Sequence, residues 1–238
     1  IDDLHYVAMI ANSVNGANLA DNRIGSNMAF GGTLWWEPFG PFGPAPSDVE
    51  WHERPVARIG SSMTISRETL AAAAVQTNPE NTIFRLSDGT PLDLLGALAP
   101  GVEVTATNVR LWSVDAALKY RGLSLSGEYY LRWLDDFAYT GGPLSVRSLF
   151  THGAYAQASY FIVPKKLEGY GRCSFVNGGQ GGGDEWSGGV NWYVLGARSW
   201  RMTFDVTRIN HSPADNPLTG YRAGESGTLF QLQMLTDF

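Results

Sequence analysis

From Thr228 to Phe238 the chain reads TLFQLQMLTDF, and every second residue counted back from the end is Phe238, Thr236, Met234, Leu232 and Phe230. The interleaved set, Asp237, Leu235, Gln233, Gln231 and Leu229, is mixed and partly polar. A period of two puts one set on each face of a strand, one apolar and one wetter. The same alternation recurs along the whole chain. It predicts an all-β architecture of half-buried strands and leaves little room for helices. No run of about 18 apolar residues occurs, so a transmembrane helix is excluded. A transmembrane barrel is not, because alternating strands hide their apolarity in the bulk composition.

The alternation predicts ten strands: Leu4–Ser13, Met28–Glu37, Val56–Ser66, Asn108–Tyr120, Leu123–Leu134, Gly153–Val163, Leu167–Val176, Glu185–Val194, Trp200–Asn210 and Thr228–Phe238. Connections after the first, third, fifth, seventh and ninth read as long and polar, the seventh being the glycine string NGGQGGGD. Those after the fourth, sixth and eighth are very short, Arg121-Gly122 being a two-residue hairpin loop. In an up-and-down meander the two sets lie at opposite ends, so one end is trimmed and the other elaborated, as in outer-membrane barrels. The Pro38–Pro55 connection departs from this rule, being long on the short side. The longest connection, 67–107, contains the apolar strings TLAAAAV and LDLLGAL. Two placements fit it: a loop folded into a lumen, or a loop that covers the barrel mouth or packs on a neighbouring subunit.

Faces assign candidate site residues. On a barrel whose apolar face meets lipid, the lumen would be lined by Arg58, Lys119, Arg132, Arg172 and Arg201 against Asp115, Glu128, Glu168, Glu185 and Asp205. That is a balanced wall, whereas an anion pore needs a basic excess at its constriction. Cross-strand ion pairs bracing the lumen are the plainer expectation for these charges. Tyr120, Trp133, Trp186, Trp192 and Trp200 fall near strand ends on the apolar side, and with Phe238 they fit membrane-interface aromatics.

Other chemistry finds little support. A net charge of −6 argues against a nucleic-acid partner held through phosphates. The single Cys173 excludes an internal disulfide framework and is expected on the lipid face. His5, His52, His152 and His211 are scattered over barrel ends and loops; only His52 has acidic neighbours, Glu50 and Glu53, which read as a solvated turn rather than a metal site. Asp135-Asp136 reads as a solvated loop, the alternative being a rim site for bridging cations. GGQGGGD lacks the lysine and helix of a phosphate cradle. The chain opens at Ile1 without a leader, which fits a processed protein or the interior of a longer one.

The terminal strand and its final phenylalanine resemble the closing strand of bacterial outer-membrane barrels. From Gly153 the resemblance sharpens. YAQASYFIVPKKLEGYGRCSFV, a glycine loop, EWSGGVNWYVLGARSWRMTFDVTRIN and TLFQLQMLTDF together resemble the C-terminal half of the phosphate-selective (O/P-type) porins. The match covers about 153–238, with the Val114–Trp133 hairpin a weaker companion. The resemblance implies an antiparallel sixteen-stranded barrel in the bacterial outer membrane. It also implies a homotrimer that passes small hydrophilic solutes or ions by diffusion, with no catalysis and no cofactor. Ten strands in one domain, 1–238, would then be the C-terminal part of that barrel, or else a smaller barrel. The phosphate in the family's name does not carry over, given the balanced wall. Two other readings stand beside the porin: an outer-membrane barrel enzyme, and a secreted carbohydrate-binding β-sandwich using Trp35, Trp36, Trp112 or Trp192 as sugar platforms.

Overall fold

A computed structural model describes residues 3–11, 27–70, 84–194, 200–216 and 219–236. Ten strands account for most of them: β1 (Leu4–Ala11), β2 (Ala29–Trp36), β3 (Val56–Thr69), β4 (Val102–Tyr120), β5 (Leu123–Gly141), β6 (Ser148–Val163), β7 (Leu167–Gly178), β8 (Gly181–Tyr193), β9 (Trp200–Asn210) and β10 (Gly227–Thr236). They form one antiparallel sheet in the order β1 to β10, each strand paired with its neighbours in sequence. The recorded register does not join β1 to β10. Strands make appreciable contact only with their sequence neighbours, so among the described residues no second sheet packs on the first. A sandwich requires two such layers. No helix of the described residues is long and apolar enough to cross a membrane.

All ten expected strands are present, but several run further at the long-loop end. β4 begins at Val102 and not at Asn108, β5 continues to Gly141 past Leu134, and β6 begins at Ser148 ahead of Gly153. The register between β4 and β5 shifts around Ala106, and Asp136 has a positive φ of 51°. Such bulges reverse the phase of alternation, which hides the strand from a period-two reading. The glycine string is not a long loop. Asn177 and Gly178 end β7, Gly181 to Asp184 open β8, and Gly178 pairs Gly181 across the two-residue turn 179–180. Strand propensity is poor for glycine, but pairing with β7 holds 181–183 in extended form, and pairing with β9 begins at Asp184. The fifth connection is also brief, residues 142–147. The expected asymmetry of connections therefore holds for the third and ninth but not for the fifth and seventh.

The register defines two faces. Ile59, Met63, Ile65, Trp112, Val114, Phe150, Trp186, Phe204, Phe230, Leu232 and Met234 share one face, and all are exposed. The opposite face is polar, yet there Glu68, Lys119 and Glu168 are wholly buried, with Asp205 and Thr207 nearly so. This is the inverse of a water-soluble sheet, which hides its apolar face. What covers the polar face is two of the connections. Phe84, Leu86 and Leu92 from the β3–β4 connection pack on Val109, Leu134 and Leu149, polar-face positions at the long-loop end, to make a cluster of buried apolar residues. The β2–β3 connection, 37–55, lies on the other end of the same face. Its Phe42, Ala45, Ser47 and Asp48 are buried, and Phe42, Asp48 and Ser47 bond to β4, to the β4–β5 turn and to β8.

Candidate functional site

The ten charged residues expected on a lumen wall all fall on the polar face. Strand pairing sets Arg58 in one rung with Ala117, Ser126, Gln157, Arg172, Ser187 and Thr207. Asp115, Glu128, Tyr155, Ser174 and Glu185 make a second rung. Lys119, Ser124, Ser159, Tyr170, Gly189, Asp205 and Gln231 make a third. Glu168, Arg132 and Arg201 follow from the same register.

Their bonding differs from the expected ladder of cross-strand ion pairs. Within the ten, Arg58 and Asp115 approach as an ion pair, at 4.0 Å. Four of the carboxylates instead accept tyrosine hydroxyls. Tyr130 donates to Glu128 at 2.6 Å, Tyr170 to Asp205 at 2.5 Å, Tyr193 to Glu168 at 3.0 Å and Tyr221 to Glu185 at 2.9 Å. Neutral donors bond these acids without neutralising them, and they leave the guanidinium groups to other partners. Arg58 also lies 5.1 Å over the Trp35 ring and Arg172 5.0 Å over Tyr155. Arg132 donates to the Arg85 carbonyl at 2.7 Å, beneath the β3–β4 connection. Arg172 and Arg201 form no ion pair among the described residues.

One glycine makes this arrangement possible. Gly189 sits between Tyr170 on β7 and Asp205 on β9. A Cβ there would lie 2.8 Å from the Tyr170 hydroxyl and 2.3 Å from the Phe204 carbonyl. The absent side chain lets the tyrosine reach across β8 to the aspartate. Sequence reading missed the tyrosines altogether. The available signal was Tyr130, Tyr155 and Tyr170 at polar-face positions, where an aromatic ring with a hydroxyl has a use.

A cavity of about 820 Å³ opens along this wall, lined among others by Arg172, Arg201, Asp205, Tyr170, Gln231 and Gln233. It is bordered by Tyr221 of the β9–β10 connection and by Pro46 and Ser47 of the β2–β3 connection. Burial, and then the hydrogen bond to Glu185, push the Tyr221 hydroxyl up to about 12, so it stays a neutral donor at neutral pH. The β3–β4 connection reaches across the same end of the face. Ser87 approaches Gly178 on β7, and Arg85 pairs with Asp215 at 3.3 Å. Its described part lies over the polar face at the long-loop end.

Of the aromatics expected at membrane interfaces, Tyr120, Trp133, Trp186, Trp192 and Trp200 are on the apolar face, the last three exposed. Phe238 lies outside the described residues. Cys173 is on the apolar face. Trp36 and Trp112 are on that face too, while Trp35 is on the polar face, stacked on His5 at 5.1 Å. Two other expectations need correction. Asp135 and Asp136 are not a solvated loop but part of β5, where Arg110 and Arg67 hold them in ion pairs. His52, expected in a solvated turn beside Glu50 and Glu53, instead bonds Asp48, Nδ1 to Oδ1 at 2.5 Å, and Asp48 is wholly buried. Both Asp48 oxygens accept backbone N–H groups, from Gly122 at 2.7 Å and His52 at 3.1 Å. A turn-bracing role uses those lone pairs up. His152 lies in β6 rather than in the loop before it, and His5 lies in β1, within the first expected strand.

Comparison with models of known protein families found no match, and a search of curated proteins found none.

Proposed function

We propose that the chain is the wall of an outer-membrane porin, through which small hydrophilic solutes or ions diffuse past a mixed-charge, hydrogen-bonding surface. The observation that carries the reading is the inversion of the sheet. Large apolar side chains are exposed on one face while charged ones are buried on the other. Each fully buried Leu, Ile or Phe is worth about 1.5–3 kcal/mol. A dozen left in water would forgo on the order of 20 kcal/mol, more than the net stability of an ordinary domain. A hydrocarbon surround removes that penalty, and a water-filled interior keeps the charged face hydrated. The up-and-down antiparallel order and the aromatics on the apolar side fit the same environment.

The resemblance of 153–238 to phosphate-selective porins supports this reading. It makes further strands, closing the sheet between β10 and β1, part of the proposal, together with a trimeric assembly. The test is single-channel recording of the purified full chain in a planar bilayer under a salt gradient. Stepwise openings with a defined reversal potential are expected. Correctly folded protein that stays silent would overturn the pore. An enzyme of the same membrane would need a nucleophile or acid–base cluster, and the polar face offers its carboxylates to tyrosines instead.

A further inference from the structure

The connection 37–55 reads EPFGPFGPAPSDVEWHERP, with prolines at 38, 41, 44, 46 and 55. Proline fixes φ and has no N–H, so such a segment loses little entropy when it docks and brings few donors needing partners. Its place in the fold is unexpected. It joins β2 to β3 at the end where the neighbouring connections are tight turns, and it folds back over the polar face.

Its attachment spans several strands. The Lys119 ammonium on β4 is wholly buried, donates to the Phe42 carbonyl at 2.8 Å, lies 4.2 Å over the Phe42 ring and sits 3.7 Å from Glu50. The Asp48 carboxylate accepts the Gly122 N–H of the β4–β5 turn, and Trp51 packs on Gly122. The Arg121 N–H donates to the His52 carbonyl at 2.9 Å. On β8, the Tyr193 hydroxyl is 3.4 Å from the Ser47 hydroxyl. Beneath this strap Ser124, Ser159, Phe161 and Glu168 are nearly or wholly buried. The far edge of the strap is Pro46, which is exposed and borders the polar cavity with Ser47.

We infer that residues 37–55 form a constriction on the solute path at the short-turn end, with Lys119 and Asp48 as its pins and Pro46–Ser47 as its rim. The inference rests on the pore reading and adds to it the element that sets the width of one mouth. A solute leaving the chamber beside Arg172 and Arg201 passes this rim. The strap is held by a cation and a carboxylate that are both shielded from water, so it is a built part of the wall and not a loop waving in the solvent.

The experiment uses the full chain with Cys173→Ser, in planar bilayers, with two variants. In one, residues 40–47 are replaced by a Gly-Ser linker of equal length. In the other, Pro46→Cys is recorded before and after a water-soluble methanethiosulfonate reagent enters the bath. The constriction predicts higher single-channel conductance for the linker variant and a stepwise fall in conductance on modifying residue 46. If the linker variant fails to fold, the modification at residue 46 decides alone. Conductance equal to the parent's in every folded variant, modified or not, would overturn the constriction and leave the pore intact. Silence from parent and variants alike would overturn the pore reading and the constriction with it.

Discussion

Replacing Lys119 with methionine should loosen the strap without disturbing the sheet. The two side chains are similar in length and both unbranched, so the substitution keeps packing on the Phe42 ring and deletes the charge. A hydrogen bond from a charged donor contributes about 1.5–3 kcal/mol, and the Phe42 carbonyl would be left unsatisfied. The cation over the ring adds about 1–2 kcal/mol when shielded from water. Opposing these, methionine avoids the ammonium's desolvation cost, about 2 kcal/mol of the roughly 2.5–5 kcal/mol lost. The balance is a loss of about 2 kcal/mol, or roughly 30-fold in the equilibrium between docked and open strap. The assay is thiol labelling of Ala45→Cys in a Cys173→Ser background, because Ala45 is buried under the docked strap. When opening and closing are fast, the labelling rate follows the open population. A rise of roughly 30-fold on adding Lys119→Met is expected. An unchanged rate would refute the claim that Lys119 pins the strap.

Three further outcomes follow from the same geometry. Burial alone would raise the Asp48 carboxyl, but hydrogen bonds from Gly122 and His52 outweigh it and hold the group below its ordinary 3.8. Its contribution is therefore complete above pH 3.8 and is lost as pH falls through the lower folded value. Peptic cleavage at Phe42, corrected with a free peptide, should accelerate only below 3.8, and Asp48→Asn should remove that dependence. Gly122 has φ of +83°, and a Cβ there would lie 2.6 Å from the Trp51 ring. Gly122→Ala should cost about 1–2 kcal/mol, read as a lower urea midpoint in detergent. Arg172→Gln with Arg201→Gln should move the reversal potential toward cations, since neither guanidinium is neutralised by a carboxylate of the wall. A potential equal to the parent's would show that these positions do not face the solute path.

The strands were legible because alternation is a backbone property that each segment carries by itself. Trp200–Asn210 shows it without interruption, and β9 has the bounds the pattern predicts. Legibility failed where the phase slipped. The β4–β5 bulge near Ala106 and the positive φ of Asp136 interrupt the alternation, and the glycines at 181–183 carry no side chain to alternate. The polar face's membership was legible for the same reason, since a residue's face follows from parity. What those residues bond to was not. Tyr170 and Asp205 are 35 positions apart and meet only because β8 places Gly189 between them. The strap announced itself only as a connection too long for its side. That it folds inward depends on Lys119, whose wish for a partner when buried no local pattern records.

The most direct test of the inverted sheet is a cysteine scan along β9, in a Cys173→Ser background reconstituted into lipid vesicles. Arg201, Thr203, Asp205 and Thr207 are on the polar face, and Met202, Phe204 and Val206 are on the apolar one. With each replaced in turn by cysteine, a small charged thiol reagent should label Arg201→Cys and Thr203→Cys, reach the buried 205 and 207 slowly, and spare the even positions, which would sit in hydrocarbon. Equal labelling at Phe204→Cys and Thr203→Cys would mean that water reaches both faces, and the account of this chain as a membrane wall would be wrong.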